Sequence, residues 1–171
     1  MSLQNVILIG MPSCGKSTVG VLLAKHLGFR FLDTDLLIQE HTGKLLHEII
    51  ADEGNEAFLT LENRTLSALN VQNTVISTGG SAVYGKEAMA HLREIGTVIY
   101  LQISYETMAA RLGDYTHRGV VLPAGWTLHD LYEERAVLYE RYAHHIINEE
   151  VCAGGLGDTL EHTLALCKRF L

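Results

Sequence analysis

Short runs of uninterrupted apolar residues alternate along this chain with stretches whose apolar positions recur at helical spacing. Asn5-Val6-Ile7-Leu8-Ile9 is apolar until it stops at Gly10, the pattern of a strand buried on both faces. The next periodic segment, "STVGVLLAKHLG", puts Val19, Leu22, Leu23 and Leu27 on one helical face, and Gly28 closes it. "FRFLDTD" reads as a second strand running into acids, "NTVIST" as a third and "TVIYLQI" as a fourth. Between them, residues 45–70 are helical with a break near Gly54, and "EAMAHLREIG" is a further helix. "SYETMAARLG" starts a helix with a Ser104 cap. A long helix "TLHDLYEERAVLYERYA", a fifth strand "HHIIN" and a terminal helix "GDTLEHTLALCKRFL" complete the pattern. Strands alternating with helices predict an α/β fold with a parallel sheet covered on both faces. With no internal repeat, low-complexity run or linker, residues 1–171 are expected to form one domain. Its aperiodic segment, about residues 113–125, is expected to be a lid.

The loop after the first strand changes the picture. "GMPSCGKS", Gly10 to Ser17, fits the phosphate-loop pattern, with the strand before it and the helix after it that the pattern needs. Gly10 and Gly15 permit backbone angles that a side chain blocks. The amides then point at phosphate oxygens from a helix N-terminus. Gly10, Ser13, Cys14, Gly15, Lys16, Ser17 and Thr18 are therefore the expected nucleotide-binding segment. Lys16 is expected to reach the β- and γ-phosphates, and the Ser17 hydroxyl to ligate magnesium. Cys14 lies near a helix N-terminus, where a thiol's pKa falls, although loop positions of this kind tolerate many residues. Asp33 and Asp35 end the second strand two residues apart. In an extended chain they face the same side, toward the crevice at the sheet's carboxyl edge. One is expected in the magnesium shell, and the other to accept or orient an acceptor's hydroxyl proton. "STGGS" ends the third strand, and Gly79 and Gly80 let the backbone approach a ligand at the same edge.

Composition bounds the rest. Of 171 residues, 47% are hydrophobic and 19% charged, with a formal net charge of -7. That acidity argues against nucleic acid or an anionic membrane as partner, so basic groups that meet an anionic ligand must be few and local. No run approaches a membrane span, and the N-terminus lacks signal-peptide features, which makes the cytoplasm the expected location. Cys14, Cys152 and Cys167 are widely spaced and odd in number, which reads as reduced thiols. The nine histidines show no metal-ligand spacing.

Phosphate loop, "DTD", "TGG", a later "HRG" and "RAVLY" in a long helix together resemble the shikimate kinases, in order and spacing, over about residues 5–150. The resemblance implies a nucleoside monophosphate kinase-like three-layer α/β/α fold with five parallel strands. It implies ATP and Mg²⁺, and phosphoryl transfer to a hydroxyl of a small hydroxylated carboxylic acid, with the chain acting as a monomer. It assigns Asp33, with Ser17, to the magnesium, and Asp35 to the substrate hydroxyls as possible base. Gly79 and Gly80 become the substrate-facing backbone. Arg118 becomes the lid arginine on the transferring phosphate, so that Lys16, Asp33, Asp35 and Arg118 form the catalytic set. Arg135 pairs with the substrate carboxylate, and Arg111 flanks the adenine.

The chain departs from that pattern at the acceptor end. Where the family reads G-E-x-x-F-R-x-x-E, this chain reads "GNEAFLTLE" from Gly54 to Glu62. Asn55 replaces a glutamate, and Leu59 replaces an arginine that shares in holding the acceptor's carboxylate. A bidentate guanidinium–carboxylate pair is directional and charge-assisted, and its loss in a desolvated site is worth on the order of 2–4 kcal/mol. Arg64 should point elsewhere on its helix, and His47 or His117 are possible substitutes. Glu62 is kept and would add negative charge near the carboxylate. Ser81 stands at a glycine position and Val137 at a proline position, both read as edits to the acceptor half. Trp126 is expected to pack at the base of the lid. Three activities stay open: a shikimate kinase, a kinase of the same fold for another small hydroxylated metabolite, and a nucleotide-binding module without turnover.

Overall fold

The computed structural model describes residues 5–115, 119–152 and 154–171. Five strands form one all-parallel sheet: β1 (Val6–Ile9), β2 (Arg30–Asp33), β3 (Thr74–Ser77), β4 (Thr97–Gln102) and β5 (His145–Asn148), in the order β2-β3-β1-β4-β5. Parallel neighbours require crossovers, and helices supply them: α1 (Lys16–Leu27), α2 (Thr34–Thr42), α3 (Leu46–Glu53), α4 (Asn55–Ser67), α5 (Lys86–Ile95), α6 (Tyr105–Leu112), α7 (Leu128–Tyr142) and α8 (Leu156–Cys167). α1 and α8 pack together on one face of the sheet, while α5 and α7 lie on the other with α4 against α5. β1, β3 and the middle of β4 are buried on both sides, which is why they read as continuous apolar runs.

Local chemistry sets the boundaries. Gly28 ends α1 in the left-handed region at φ 69°, donating its amide to the Ala24 carbonyl. Gly54, at φ 87°, separates α3 from α4 at the predicted break. The Ser104 side chain accepts from the Thr107 amide to start α6, and Thr127 and Asp130 cap α7 reciprocally. Two expectations need correction. Leu22 is 40% exposed, because α1 turns only Val19, Leu23 and part of Leu27 to the sheet. Val137 is 58% exposed, so its departure from the family pattern lies on the outer face of α7 and does not edit the acceptor half. Among the described residues, no helix is long and apolar enough to cross a membrane.

The amino edge of the sheet is tied by one side chain. Asn5 is buried, and its amide donates to the Val71 and Ile95 carbonyls at 2.8 and 3.0 Å. Its carbonyl oxygen accepts from the Thr74 amide at 3.0 Å. One residue thus joins the starts of β1 and β3 to the end of α5. Asn5→Ala strands three backbone groups, two of them in buried hydrogen bonds, and is expected to destabilise the fold by about 3 kcal/mol. Urea unfolding measures this, and a loss under about 1 kcal/mol would mean that solvent satisfies those groups instead.

Candidate active site

The order of strands reverses at β1, with β2 and β3 on one side and β4 and β5 on the other. The crevice outside the carboxyl ends of the strands at such a reversal is where α/β sheets bind ligands. The phosphate loop leaves β1 there. A Cβ at Gly10 would sit 2.6 Å from the Leu101 carbonyl oxygen, so β4 leaves room for nothing larger. Gly15 lies at φ 92° and Ser13 at φ 65°, which turns the loop back on itself before α1. Lys16 is buried at the loop's base, and its Nζ donates to the carbonyls of Gly10 at 2.9 Å and Met11 at 2.8 Å. Ser17 Oγ donates to Asp33 Oδ2 at 2.6 Å and lies 3.2 Å from Ser77 Oγ. Burial pushes the Cys14 thiol up, against the pull of Lys16. The low thiol pKa that a helix N-terminus suggests is therefore not realised.

Before the loop opens a cavity of about 420 Å³, lined by Pro12, Ser13 and Gly15 to Thr18 on one side and by Asp35, Thr78 and Gly79 to Ser81 on the other. Leu46, Phe58, Gly119 to Val121 and Arg135 close it. Asp33 and Asp35 do not reach this edge as strand neighbours. β2 ends at Asp33, whose Oδ1 accepts from the amides of Asp35 and Leu36 and starts α2. Asp35 therefore enters the cavity from the first turn of a helix. Asp33 is both helix cap and hydroxyl partner of Ser17. Burial, then the neighbouring Asp33, push the Asp35 carboxyl up to about 6, against Lys16.

Gly79 is clamped between two acids. A Cβ there would fall 2.6 Å from Asp35 Oδ1 and 2.6 Å from Glu62 Oε1, and among the described residues neither oxygen has a hydrogen-bond partner. Glu62 is 1% exposed, and its other oxygen accepts from Ser81 Oγ at 2.6 Å. Burial, opposed by the Ser81 hydrogen bond, pushes its carboxyl up to about 7, with Asp35 adding to the rise and Arg135 and Lys16 resisting it. The serine at a glycine position is thus the partner of the acid that Leu59 leaves without one.

Arg135 is 1% exposed. Its Nη2 donates to the Val121 carbonyl at 2.8 Å, its Nε to Tyr84 Oη at 3.4 Å, and its guanidinium lies 5.3 Å from the Tyr84 ring centre. Gly80 is bare because a Cβ there would meet Arg135 Nη1 at 2.9 Å. Among the described residues no carboxylate forms an ion pair with this arginine. Leu59 does not line the cavity. It faces an adjoining apolar recess with Tyr84, Val121, Pro123 and Trp126, and Trp126 is itself 36% exposed, less packed than expected. Asn55 ties this region by donating to the Leu122 carbonyl at 3.1 Å. Arg64 is exposed, and His47 is half-buried on α3 outside the cavity lining.

Arg111 also stays outside the cavity, paired with Glu149 at 3.1 Å. Arg118 and His117 lie outside the described residues. All three cysteines are free and buried. Sequence reasoning passed over Phe58, Leu46, Val121 and Thr78 as cavity walls. Phe58 stood inside a quoted motif and was open to notice, while Leu46 and Val121 carry no signal outside the tertiary packing.

The family model described as shikimate kinase matches residues 12–153. Shikimate kinase 2 of Yersinia pseudotuberculosis serotype O:3 (strain YPIII) is 35% identical over 150 residues, covering 85% of this chain and 86% of that protein. Among solved structures, a shikimate kinase from Acinetobacter baumannii in complex with shikimate aligns with a TM-score of 0.86 at 32% identity, over 96% of this chain and 92% of that one. The shikimate kinase of Aquifex aeolicus aligns with a TM-score of 0.80 at 28% identity, over 97% and 96%. The expected three-layer P-loop kinase fold is the one observed.

The elevated Glu62 carboxyl has a consequence for stability. The folded protein keeps this proton from the usual glutamate pKa of 4.5 up to about 7, where the unfolded chain has lost it. Stability therefore falls as pH rises through that window, by about 3 kcal/mol in full. Glu62→Gln is expected to be the more stable protein at about pH 8 by about 2 kcal/mol, and to match the parent near pH 4. Urea midpoints at the two pH values measure this, and an equal gain at both would trace the effect to packing.

Proposed function

Because the chain belongs to the shikimate kinase family, we propose that it transfers the γ-phosphoryl group of ATP to a ring hydroxyl of shikimate, giving shikimate 3-phosphate and ADP. The observation that carries this reading is Arg135. A buried guanidinium with no carboxylate partner among the described residues, at the wall of a cavity whose other wall is a phosphate loop, is a site for an anionic small molecule. Shikimate supplies that anion as its carboxylate, and its hydroxyls then face Asp35.

The roles we assign rest on these positions and on the family resemblance. The amides of Ser13 to Thr18 and the Lys16 ammonium hold the β- and γ-phosphates. Ser17 Oγ and Asp33 Oδ2, 2.6 Å apart at the sheet edge, are hard oxygen donors of the kind Mg²⁺ takes beside phosphates. When bound, the ion neutralises charge on the phosphates. Asp35 orients the acceptor hydroxyl and takes its proton, and a carboxyl held at about 6 is a stronger base than an exposed aspartate. By the family resemblance we assign Arg118 to the transferring group, and Arg111, which pairs with Glu149 outside the cavity, to the base. Val121 and Gly119 bring the lid's later limb against Leu46 and Arg135, which helps exclude water, a rival acceptor.

Leu59 favours a second reading, a kinase for a less acidic hydroxylated metabolite. Among the described residues, the cavity lining at the acceptor end has one buried cation, Arg135, where the family pattern has two arginines. ADP release on adding shikimate, against quinate and related sugar acids, separates the readings. No release at about millimolar shikimate, with ATP binding intact, would favour the second.

Lys16→Ala is expected to lower kcat at least about 100-fold with the fold retained, and near-parental turnover would sink the donor site. Leu59→Arg is expected to lower KM for shikimate about tenfold or more. No change would mean either that Arg135 and its neighbours already hold the carboxylate fully or that the side chain at 59 stays in the adjoining recess.

A further inference from the structure

Ser81 stands where the cavity, Glu62 and the bare backbone of Gly79 and Gly80 meet. It lines the cavity, and its Oγ lies 2.6 Å from Glu62 Oε2. A hydroxyl carries one hydrogen and two lone pairs and rotates to suit its neighbours. The bond between Ser81 and Glu62 therefore has two directions. When Glu62 is ionised it only accepts, so the Ser81 hydrogen is committed to it and the cavity sees lone pairs. When Glu62 is neutral, its O–H donates to Ser81 Oγ, and the serine hydrogen turns to the cavity.

Resting on the reading of the site as one for a hydroxylated carboxylic acid, we propose that Ser81 is an acceptor-binding residue, whose hydroxyl, held between Glu62 and the cavity, donates a hydrogen bond to the acceptor's carboxylate beside Arg135. The geometry supports each part. Arg135 Nη1 lies close to where a Cβ on Gly80, the residue next to Ser81, would stand, and both Arg135 and Ser81 line the cavity. One helical turn before Glu62, Leu59 gives it no donor, and among the described residues no cation lies within ion-pair distance of it. The charged groups around Glu62 are Asp35 from α2, which opposes its ionisation, and Arg135 and Lys16 from α7 and α1, which favour it. On the α5 side, Glu87 turns to Asn63 at the surface. Burial outweighs the two cations, and the carboxyl is held at about 7. The proton that arms Ser81 comes from solvent, so a carboxylate that settles there above this pH takes up a proton as it binds.

The test is shikimate KM and kcat from about pH 6 to about pH 9 for the parent, Ser81→Ala, Ser81→Gly and Glu62→Gln. It is joined by binding calorimetry in buffers of different ionisation heat, with folding checked by thermal unfolding. The parent KM is expected to rise about tenfold across the range, with proton uptake on binding at about pH 8. Both serine variants are expected to raise KM about tenfold near pH 6.5 and to abolish the proton uptake, while kcat moves less than about twofold. Glu62→Gln is expected to keep KM low throughout, because its amide donates to Ser81 at any pH. A parent KM flat with pH, serine variants with parental KM near pH 6.5, or a glutamine variant that follows the parent curve would overturn the inference while leaving the kinase reading intact. No turnover or binding of shikimate by the parent at any pH would overturn both.

Discussion

A guanidinium taken out of water is the demand around which the acceptor half of this protein is arranged. Moving a charge into a protein interior costs several kcal/mol unless hydrogen bonds and opposite charge offset it. Arg135 receives hydrogen-bond acceptors from Val121 and Tyr84 and an aromatic face from Tyr84, but no carboxylate among the described residues. Those partners fix the surroundings. Tyr84 is held in turn by Glu134 at 2.6 Å. Val121 must lie down on α3 and α4, where it is buried with Leu46, Ile49 and Phe58. Gly80 must have no side chain, and Tyr139, next along the inner face of α7, bonds the Gly80 carbonyl at 2.6 Å. The remaining charge demand is left for a ligand.

The donor half obeys a different constraint, the closeness of backbone to backbone. Gly10 lies against the Leu101 carbonyl, and the loop folds over Lys16 through Gly10, Ser13 and Gly15, all at positive φ. Within that half Ser17 and Asp33 share a hydrogen bond, and the loop touches the acceptor side where Pro12 lies against Gly80. The two halves meet across the cavity, the phosphate loop on one wall and Asp35 and Gly79 on the other. Substitutions in the acceptor half can thus change what is phosphorylated without disturbing how phosphate is held.

Much of the fold was legible because strands buried on both faces leave unbroken apolar runs and because caps such as Ser104 and Gly28 act locally. The phosphate loop was legible for the same reason: its glycines, lysine and serine are adjacent in sequence. Asp35 was found by a spacing that assumes extended chain, yet Asp33 caps a helix that begins at Thr34, so the right residue arrived by a different backbone path. Val137 looked like an edit to the site, but two residues on a helix are about 200° of rotation, and Arg135 faces in while Val137 faces out. The link between Ser81 and Glu62 joins residues nineteen positions apart in sequence, across the packing of α4 on the turn after β3. No local pattern encodes it.

The Asn5 tether at the amino edge also bears on the opposite end of the sheet. All three of its polar contacts are satisfied, whereas the carboxyl edge carries oxygens of Asp35 and Glu62 that have no hydrogen-bond partner among the described residues. The secure floor lies far from the chemistry, and the strained rim lies at it. Stability lost at the rim can therefore be offset by contacts made at the opposite end of the sheet, since unfolding is cooperative in a single domain.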